Sequence, residues 1–289
     1  MNNFIVRTIT GVLFVACVVC SFLCAEGMVA LFALITGLTV WEFTGLVNER
    51  RSVVVNRFIS TVAAVYLFLA MTYYCSDIYS GAVKSVVFIP YLVTVIYLLV
   101  AELYLKQDDP VNDWAYTMLA QMYIALPFST LNVLAFTATP EGIAVFNPVL
   151  PLSVFVFLWL NDSGAYCVGS LIGRHKLFPR ISPGKSWEGS IGGAVVVLAA
   201  AWAIDTFADQ PDGLLHTDML STLEWLGLGL VVVVFGTWGD LVESLLKRTL
   251  GIKDSGNILP GHGGMLDRFD SSLLAIPSAV VYLYTLSLF

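Results

Sequence analysis

Long blocks of apolar residues, each about the length of a bilayer span, dominate the 289-residue chain. A membrane-spanning helix takes about 20 such residues, and lipid offers the backbone no hydrogen-bond partners, so every block is expected to be helical. With 58% apolar and 12% charged residues, the chain has too little polar surface for a water-exposed globule. We predict an all-α integral membrane protein with about nine transmembrane helices. The predicted spans are residues 4–24, 27–47, 58–75, 85–105, 114–137, 149–172, 188–208, 222–247 and 271–288.

The basic residues are distributed unevenly over the predicted connections. If the spans alternate, every Lys and Arg except Lys84 falls on the side that holds the amino terminus. The positive-inside rule then predicts a cytoplasmic amino terminus. The two longest connections on this side, 173–187 and 248–270, are polar and glycine-rich, so the chemistry is expected to face the cytoplasm. The sequence contains no basic stripe with interleaved aromatic residues, so a nucleic-acid partner is not expected.

Asp162 lies inside an apolar run, where an ionisable side chain is costly and is therefore a candidate functional residue. The alternative is a carboxylate that pairs with a neighbouring helix. The connection after this span carries the bases Arg174, Lys176, Arg180 and Lys185. Such a loop can bind phosphates, or it can be an ordinary cytoplasmic loop that follows the positive-inside rule.

Asp240, Ser244 and Lys247 follow i, i+4, i+7 spacing and are expected to share one helix face. A carboxylate, a hydroxyl and an ammonium in one row suit a metal-bound anion. The alternative is an Asp–Lys face that is paired internally at the membrane boundary.

Asp267 and Asp270 are three residues apart beside a glycine-rich loop. Two hard oxygen ligands at this spacing, close to Lys and Arg, suit a magnesium ion that bridges to phosphates. His262 is expected to donate a hydrogen bond to phosphate or to fix the loop. The residues thus indicate metal-dependent phosphoryl or nucleotidyl transfer without identifying the substrates.

Residues 244–270 resemble the signature of the phosphatidate cytidylyltransferase family. Its fixed elements correspond here to Ser244, Lys247-Arg248, Lys253-Asp254, His262-Gly263-Gly264 and Asp267-Arg268-Phe269-Asp270. The segments 161–166, 182–189 and 239–244 also match, whereas the first 150 residues match only as helical spans. Gly184-Lys185-Ser186 departs from a Lys-Lys-Thr form common in the family, which leaves more of the phosphate binding to Lys185.

The resemblance implies the reaction of CTP with phosphatidic acid to give CDP-diacylglycerol and pyrophosphate. It further implies a need for Mg²⁺, with the number of cations left open, and a homodimer in a bacterial-type inner membrane. We expect a single membrane domain in which residues 149–289 are catalytic. Residues 1–148 would serve dimerisation or lipid entry.

The same resemblance, together with the spacing of the residues, assigns the site. The predicted catalytic residues are Asp240, Ser244, Lys247, Asp267 and Asp270, and the predicted metal ligands are Asp240, Asp267 and Asp270. The predicted substrate-binding residues are Asp162, Lys185, Ser186, Arg248, Lys253, His262, Gly263, Gly264 and Arg268.

Two other functions fit part of the pattern. A CTP-dependent lipid kinase would share the metal and nucleotide site but would release CDP and would need a base to activate a hydroxyl. A transporter would use the intramembrane acids to bind ions, and it predicts broken helices in related halves, of which the sequence gives no sign.

Overall fold

The computed structural model describes residues 3–50, 52–76, 84–138, 143–209, 219–256, 258 and 263–287. Eight helical segments among them are long and apolar enough to cross a membrane. The prediction of an all-α integral membrane protein is confirmed. The described part of the chain carries, in addition, a shorter apolar helix, Thr8–Ser21, within the first predicted span.

The amino-terminal helices are α1 (Asn3–Ser21), α2 (Ala25–Asn48), α3 (Arg57–Cys75), α4 (Ile89–Leu105), α5 (Pro110–Leu119) and α6 (Leu126–Ala135). A 3₁₀ turn, Lys84–Phe88, precedes α4, and a π-helical stretch, Ala120–Ala125, joins α5 to α6. The fifth predicted span, 114–137, is therefore one helical run with a π segment in the middle. Such segments are rare and widen the helix locally.

The carboxyl-terminal helices are α7 (Val149–Ile172), α8 (Trp187–Phe207), α9 (Thr222–Leu250), the short α10 (Leu266–Phe269) and α11 (Ser272–Leu286). The bounds of α7 coincide with the predicted span, and those of α8 differ from it by one residue at each end. The last apolar segment of the structure, Leu266–Leu286, begins before the ninth predicted span, 271–288, because it also includes α10 and the turn after it.

Two short antiparallel hairpins, which the sequence did not predict, lie in the connections. One pairs β1 (Phe136–Ala138) with β2 (Ala144–Phe146). The other pairs β3 (Lys176–Phe178) with β4 (Ser182–Ser186), with Lys176 opposite Ser186. The second hairpin occupies the basic connection between α7 and α8. It fixes the backbone that carries Lys185.

The chain divides into two compact units, one of residues 1–150 and 249–269, the other of residues 151–248 and 270–289. In the first unit, a cluster of phenylalanine rings surrounds α10. The ring of Phe269 lies 5.5 Å from Phe14, 6.2 Å from Phe32 and 5.5 Å from Phe128, measured between ring centroids. Buried aromatic contacts of this kind hold the 249–269 segment to the amino-terminal helices.

In the second unit, glycines let helices approach closely. A Cβ atom added at Gly164 of α7 would lie 3.1 Å from the Cα of Gly193 on α8. On α9, a Cβ at Gly239 would lie 2.7 Å from the carbonyl oxygen of Asp270. Small residues at helix contacts allow backbones to pack in this way inside a membrane. The second contact brings the start of α11 next to the part of α9 that carries Asp240.

The buried acids Asp205 and Asp209 hold the far end of α8 and the beginning of α9. Asp209 accepts hydrogen bonds from the indole Nε1 of Trp225 at 2.8 Å and from the backbone amide of Met219 at 3.0 Å. Asp205 accepts one from the Thr222 hydroxyl at 2.8 Å. Buried carboxylates in this chain therefore include structural ones.

Candidate functional site

The second unit contains a cavity of about 520 Å³, lined by α7, by the β3–β4 hairpin, by the first turn of α8 and by Thr237 of α9. Its polar side chains are Asn161, Asp162, Tyr166, Ser170, Lys176, Lys185, Ser186, Ser190 and Thr237. Two bases, one acid and several hydroxyls thus face one concave surface. Ligand cavities commonly combine such a volume with a few convergent polar groups.

Asp162 belongs to the wall that α7 contributes. It lies in the middle of the helix, and Tyr166 and Ser170 follow it at i+4 and i+8, so the three share one face. The Asp162 side chain is exposed to the cavity. The structure therefore places this intramembrane acid where a bound ligand would meet it.

Lys185 on β4 forms an ion pair with Asp240 on α9. Lys185 Nζ lies 2.5 Å from Asp240 Oδ2, and each side chain retains about a quarter of its exposure, 23% and 27%. The hydroxyl of Ser244, one turn further along α9, donates to Asp240 Oδ1 at 3.2 Å. The predicted Asp240–Ser244 face is present, and Asp240 is paired with a base from another element.

Lys247, the third residue of that predicted face, pairs with Glu243 instead. Its Nζ lies 2.5 Å from Glu243 Oε2, and the Glu243 side chain is fully buried whereas that of Lys247 is 15% exposed. The sequence places Glu243 one position round the helix and does not assign it to the site. Glu243 is added to the candidate site because it is buried beside Lys247, a predicted catalytic residue.

Asp270 lies half-buried just before α11, and its Oδ1 accepts the backbone N–H of Ser271 at 2.5 Å. The charges of Asp240 and Asp162 act on this carboxylate, and so does that of Lys247. Three acids of one unit are therefore close enough to repel one another. Like charges in a sheltered position are costly unless a cation balances them.

Within the described ranges, no group of three or more His, Cys, Asp or Glu side chains is arranged to hold a metal ion. Mg²⁺ at nucleotide sites is usually held by one or two carboxylates together with substrate phosphates. Asp240 and Asp270, two hard oxygen ligands in one unit, fit that smaller protein contribution.

Asp267, the third predicted metal ligand, belongs to the first unit. Its Oδ2 accepts the backbone N–H groups of Ser255 at 2.8 Å and of Gly264 at 2.9 Å. Gly263 between them has a φ of +85°, a conformation that glycine adopts without strain. Asp267 thus organises its own loop, and its role as a metal ligand stays a prediction.

Glu42 of α2 is a residue that the sequence reasoning missed. It is 8% exposed, and its carboxylate accepts the hydroxyl of Ser255 at 2.5 Å and the backbone N–H groups of Met265 at 2.9 Å and Leu266 at 3.0 Å. The signal was present, because Glu42 is an acid inside an apolar span, as Asp162 is.

The other predicted substrate-binding residues divide between the units. Ser186 is buried and caps α8 by accepting the backbone N–H of Gly189 at 3.2 Å. Arg248, at the end of α9, is exposed, as are Lys253 and Arg268 of the first unit. Gly264 is buried against Glu42. His262 lies outside the described residues.

Comparison with known proteins gives the family. A profile described as the cytidylyltransferase family matches residues 5–286. Similar proteins include the phosphatidate cytidylyltransferases of Staphylococcus aureus, 39% identical over 165 residues, and of Staphylococcus epidermidis, 40% identical over 167 residues. Each alignment covers 57% of this chain, which spans 57% of the length of either relative. Because the profile extends over nearly all of its residues, the chain belongs to the cytidylyltransferase family.

Proposed function

We propose that the protein transfers the cytidylyl group of CTP to phosphatidic acid, giving CDP-diacylglycerol and pyrophosphate. The observation that carries the proposal is the Lys185–Asp240 ion pair at the polar cavity of the second unit. Membership of the cytidylyltransferase family and the names of its relatives support the choice of reaction.

The cavity chemistry suits a phosphate-bearing ligand. Its volume of about 520 Å³ is in the range of small-molecule sites, and Lys176 and Lys185 supply positive charge to it. Hydroxyls of Ser170, Ser190 and Thr237 add hydrogen-bonding groups. The apolar helices around the cavity give the acyl chains of a lipid substrate a compatible surface.

The ion pair allows the site to bind a nucleotide with its metal ion without leaving either Lys185 or Asp240 unpaired. When Lys185 turns to a phosphate, Asp240 loses its cation and becomes a ligand for another one. A bound Mg²⁺ would supply the positive charge that this exchange needs and would lie against Asp240 and Asp270. A half-buried Asp240 left without a cation would be destabilising, so Mg²⁺ is expected to bind as Lys185 moves to the phosphate.

The reaction makes modest demands on the protein. An oxygen of the lipid phosphate attacks the α-phosphorus of CTP, the bond to the β-phosphate breaks, and pyrophosphate leaves. The nucleophile is already anionic near neutral pH, so no strong base is required. Lys185 and Lys247 reduce the repulsion between the anions, and positioned charges of this kind are a large part of phosphoryl-transfer catalysis.

Lys176 and Lys185 reach the cavity from the basic connection between α7 and α8, which supports a cytoplasmic active site and a cytoplasmic amino terminus. Single cysteines in a cysteine-free background test the orientation. An impermeant maleimide added to spheroplasts should label Lys84→Cys, and it should label Arg180→Cys only after lysis. The reverse pattern would contradict the proposed orientation.

We also propose that the protein is a homodimer. Cross-linking in native membranes tests this part of the proposal.

The reaction is tested with purified protein, phosphatidic acid, Mg²⁺ and CTP labelled at the α-phosphate. We expect label in the lipid and stoichiometric pyrophosphate, and loss of both in Asp240→Asn. In a parallel assay with a lipid alcohol in place of phosphatidic acid, release of labelled CDP together with an unlabelled, newly phosphorylated lipid would establish a lipid kinase instead. Absence of CTP turnover with a folded protein would reject both enzymes.

A further inference from the structure

We propose that Glu42 is a positioning residue that holds the two described ends of the 255–267 segment, residues 255–256 and 263–267, in the arrangement needed for cytidylyl transfer. The kinetic part of this inference rests on the proposed function, whereas the structural part does not. Glu42 lies in α2, and the groups it binds are 213 to 224 residues away in sequence, within the same unit.

Three donors converge on the two oxygens of this carboxylate. Glu42 Oε1 accepts the hydroxyl of Ser255 and the backbone N–H of Leu266, and Oε2 accepts the backbone N–H of Met265. A carboxylate consists only of acceptors and therefore suits all three donors. Hydrogen bonds to a charged group are also stronger than neutral ones.

Ser255 extends the contact from Glu42 to Asp267. Its hydroxyl, which donates to Glu42, also accepts the backbone N–H of Asp267 at 3.3 Å, and its own backbone N–H donates to Asp267 Oδ2 at 2.8 Å. The amide of Gly264 donates to the same Asp267 oxygen at 2.9 Å. One buried carboxylate thus fixes both ends of the segment that presents Asp267 and Arg268.

Glycines at both ends of the segment leave room for the Glu42 carboxylate. A Cβ atom at Gly256 would lie 2.5 Å from Glu42 Oε2, and one at Gly264 would overlap Glu42 Oε1 and the Ser255 hydroxyl. Glycine at both positions therefore leaves the room that Glu42 occupies. This fit on two sides indicates a specific docking of the segment on α2.

Glutamine at position 42 would keep the size of the side chain but only one of its two acceptor oxygens. If its oxygen replaces Oε1, its NH₂ group faces the amide of Met265; if it replaces Oε2, the NH₂ group faces the amide of Leu266. Either orientation leaves a buried donor without an acceptor, which is costly. The segment should then detach at one end and carry Asp267 and Arg268 away from their positions.

The test compares Glu42→Gln with Thr39→Ala. Thr39 is buried in the same helix, and its hydroxyl donates to the carbonyl of Ile35, also in α2, at 2.7 Å. The first measurement is the rate at which a lysine-specific protease cuts after Lys253, which is exposed just before the segment begins. The rate is read from the fragment that begins at Asp254. The second is kcat and the KM for phosphatidic acid.

Glu42→Gln should be cut after Lys253 at least about tenfold faster than the unaltered protein, and kcat should fall about 10- to 100-fold, the usual effect of losing a supporting hydrogen-bond partner. The KM for phosphatidic acid should change less than about twofold, and Thr39→Ala should alter neither rate. Ser255→Ala removes one of the three hydrogen bonds and should show a smaller effect. It replaces Glu42→Gln in the test if that variant does not fold.

Unchanged cleavage and kcat in folded Glu42→Gln and Ser255→Ala would overturn the inference. Equal losses in Thr39→Ala would also overturn it, because they would reflect general weakening of α2. If the unaltered protein shows no cytidylyl transfer, the proposed function fails. The cleavage rates then still decide whether Glu42 holds the segment.

Discussion

The ammonium of Lys185 lies 2.5 Å from the carboxylate of Asp240, so a predicted phosphate ligand and a predicted metal ligand neutralise each other. The pair joins the β3–β4 hairpin to the middle of α9 within one unit. Because the two charges are paired, neither is an isolated ion in a membrane protein, where an isolated ion costs free energy.

Loss of Lys185 should therefore affect both phosphate binding and Asp240. We expect Lys185→Ala to lower kcat/KM for CTP about 100-fold, a loss typical of one positioned charge in phosphoryl transfer. Lys185→Arg should retain more activity because it keeps the charge. Arg180→Ala removes a charge of the same sign from the turn of the same hairpin and should change kcat/KM less than about threefold. Similar losses in both alanine variants would indicate a diffuse electrostatic effect.

The carboxylates should determine the requirement for Mg²⁺. In Asp240→Asn and Asp270→Asn we expect the Mg²⁺ concentration for half-maximal activity to rise at least about tenfold, because each change removes a hard oxygen ligand. The same measurement on Asp267→Asn distinguishes two roles. If Asp267 is a metal ligand, the Mg²⁺ concentration for half-maximal activity rises; if it only anchors its loop, kcat alone falls. We predict that this Mg²⁺ concentration rises. Asp205→Asn, a buried acid at the other end of α8, should leave the titration unchanged.

The Glu243–Lys247 pair is expected to contribute to stability as well as to charge. Removing one member of a buried ion pair leaves the other uncompensated, so Glu243→Gln and Lys247→Met should each lower the free energy of unfolding by about 3 kcal/mol. The double variant should lose less than the sum of the two, with a coupling of about 1–3 kcal/mol. Unfolding in mixed micelles of increasing SDS content measures all three. Additive losses would mean that the contact is not energetically coupled.

Asp209 should matter for folding and not for catalysis. Trp225→Phe removes the indole donor to Asp209 while keeping an aromatic ring, and should lower the free energy of unfolding by about 1–3 kcal/mol. At a temperature where the variant is folded, kcat should equal that of the unaltered protein. A reduced kcat under those conditions would link this end of α8 to the active site.

The helices were predictable because hydrophobic block length determines them, as the coincidence of α7 with residues 149–172 illustrates. The β3–β4 hairpin was not, because SPGKS has little strand character and is held by pairing with Lys176–Phe178. Which base meets Asp240 was likewise hidden, since helical spacing favours Lys247 and the partner comes from another element. For Glu42, the apolar setting was visible, but its three donors lie more than 200 residues later.

That separation also bears on how the chain is made. The ribosome delivers α2 to the membrane long before it has synthesised Ser255, Met265 and Leu266, so insertion has to accommodate the Glu42 side chain without these three bonds. An acid within a membrane segment raises the cost of insertion by up to a few kcal/mol, and Glu42 lies in the last third of α2. The surrounding α2 sequence, rich in Val, Leu and Phe, offsets that cost during biogenesis. Donors synthesised more than 200 residues later thus bind a carboxylate that α2 has already carried into the membrane.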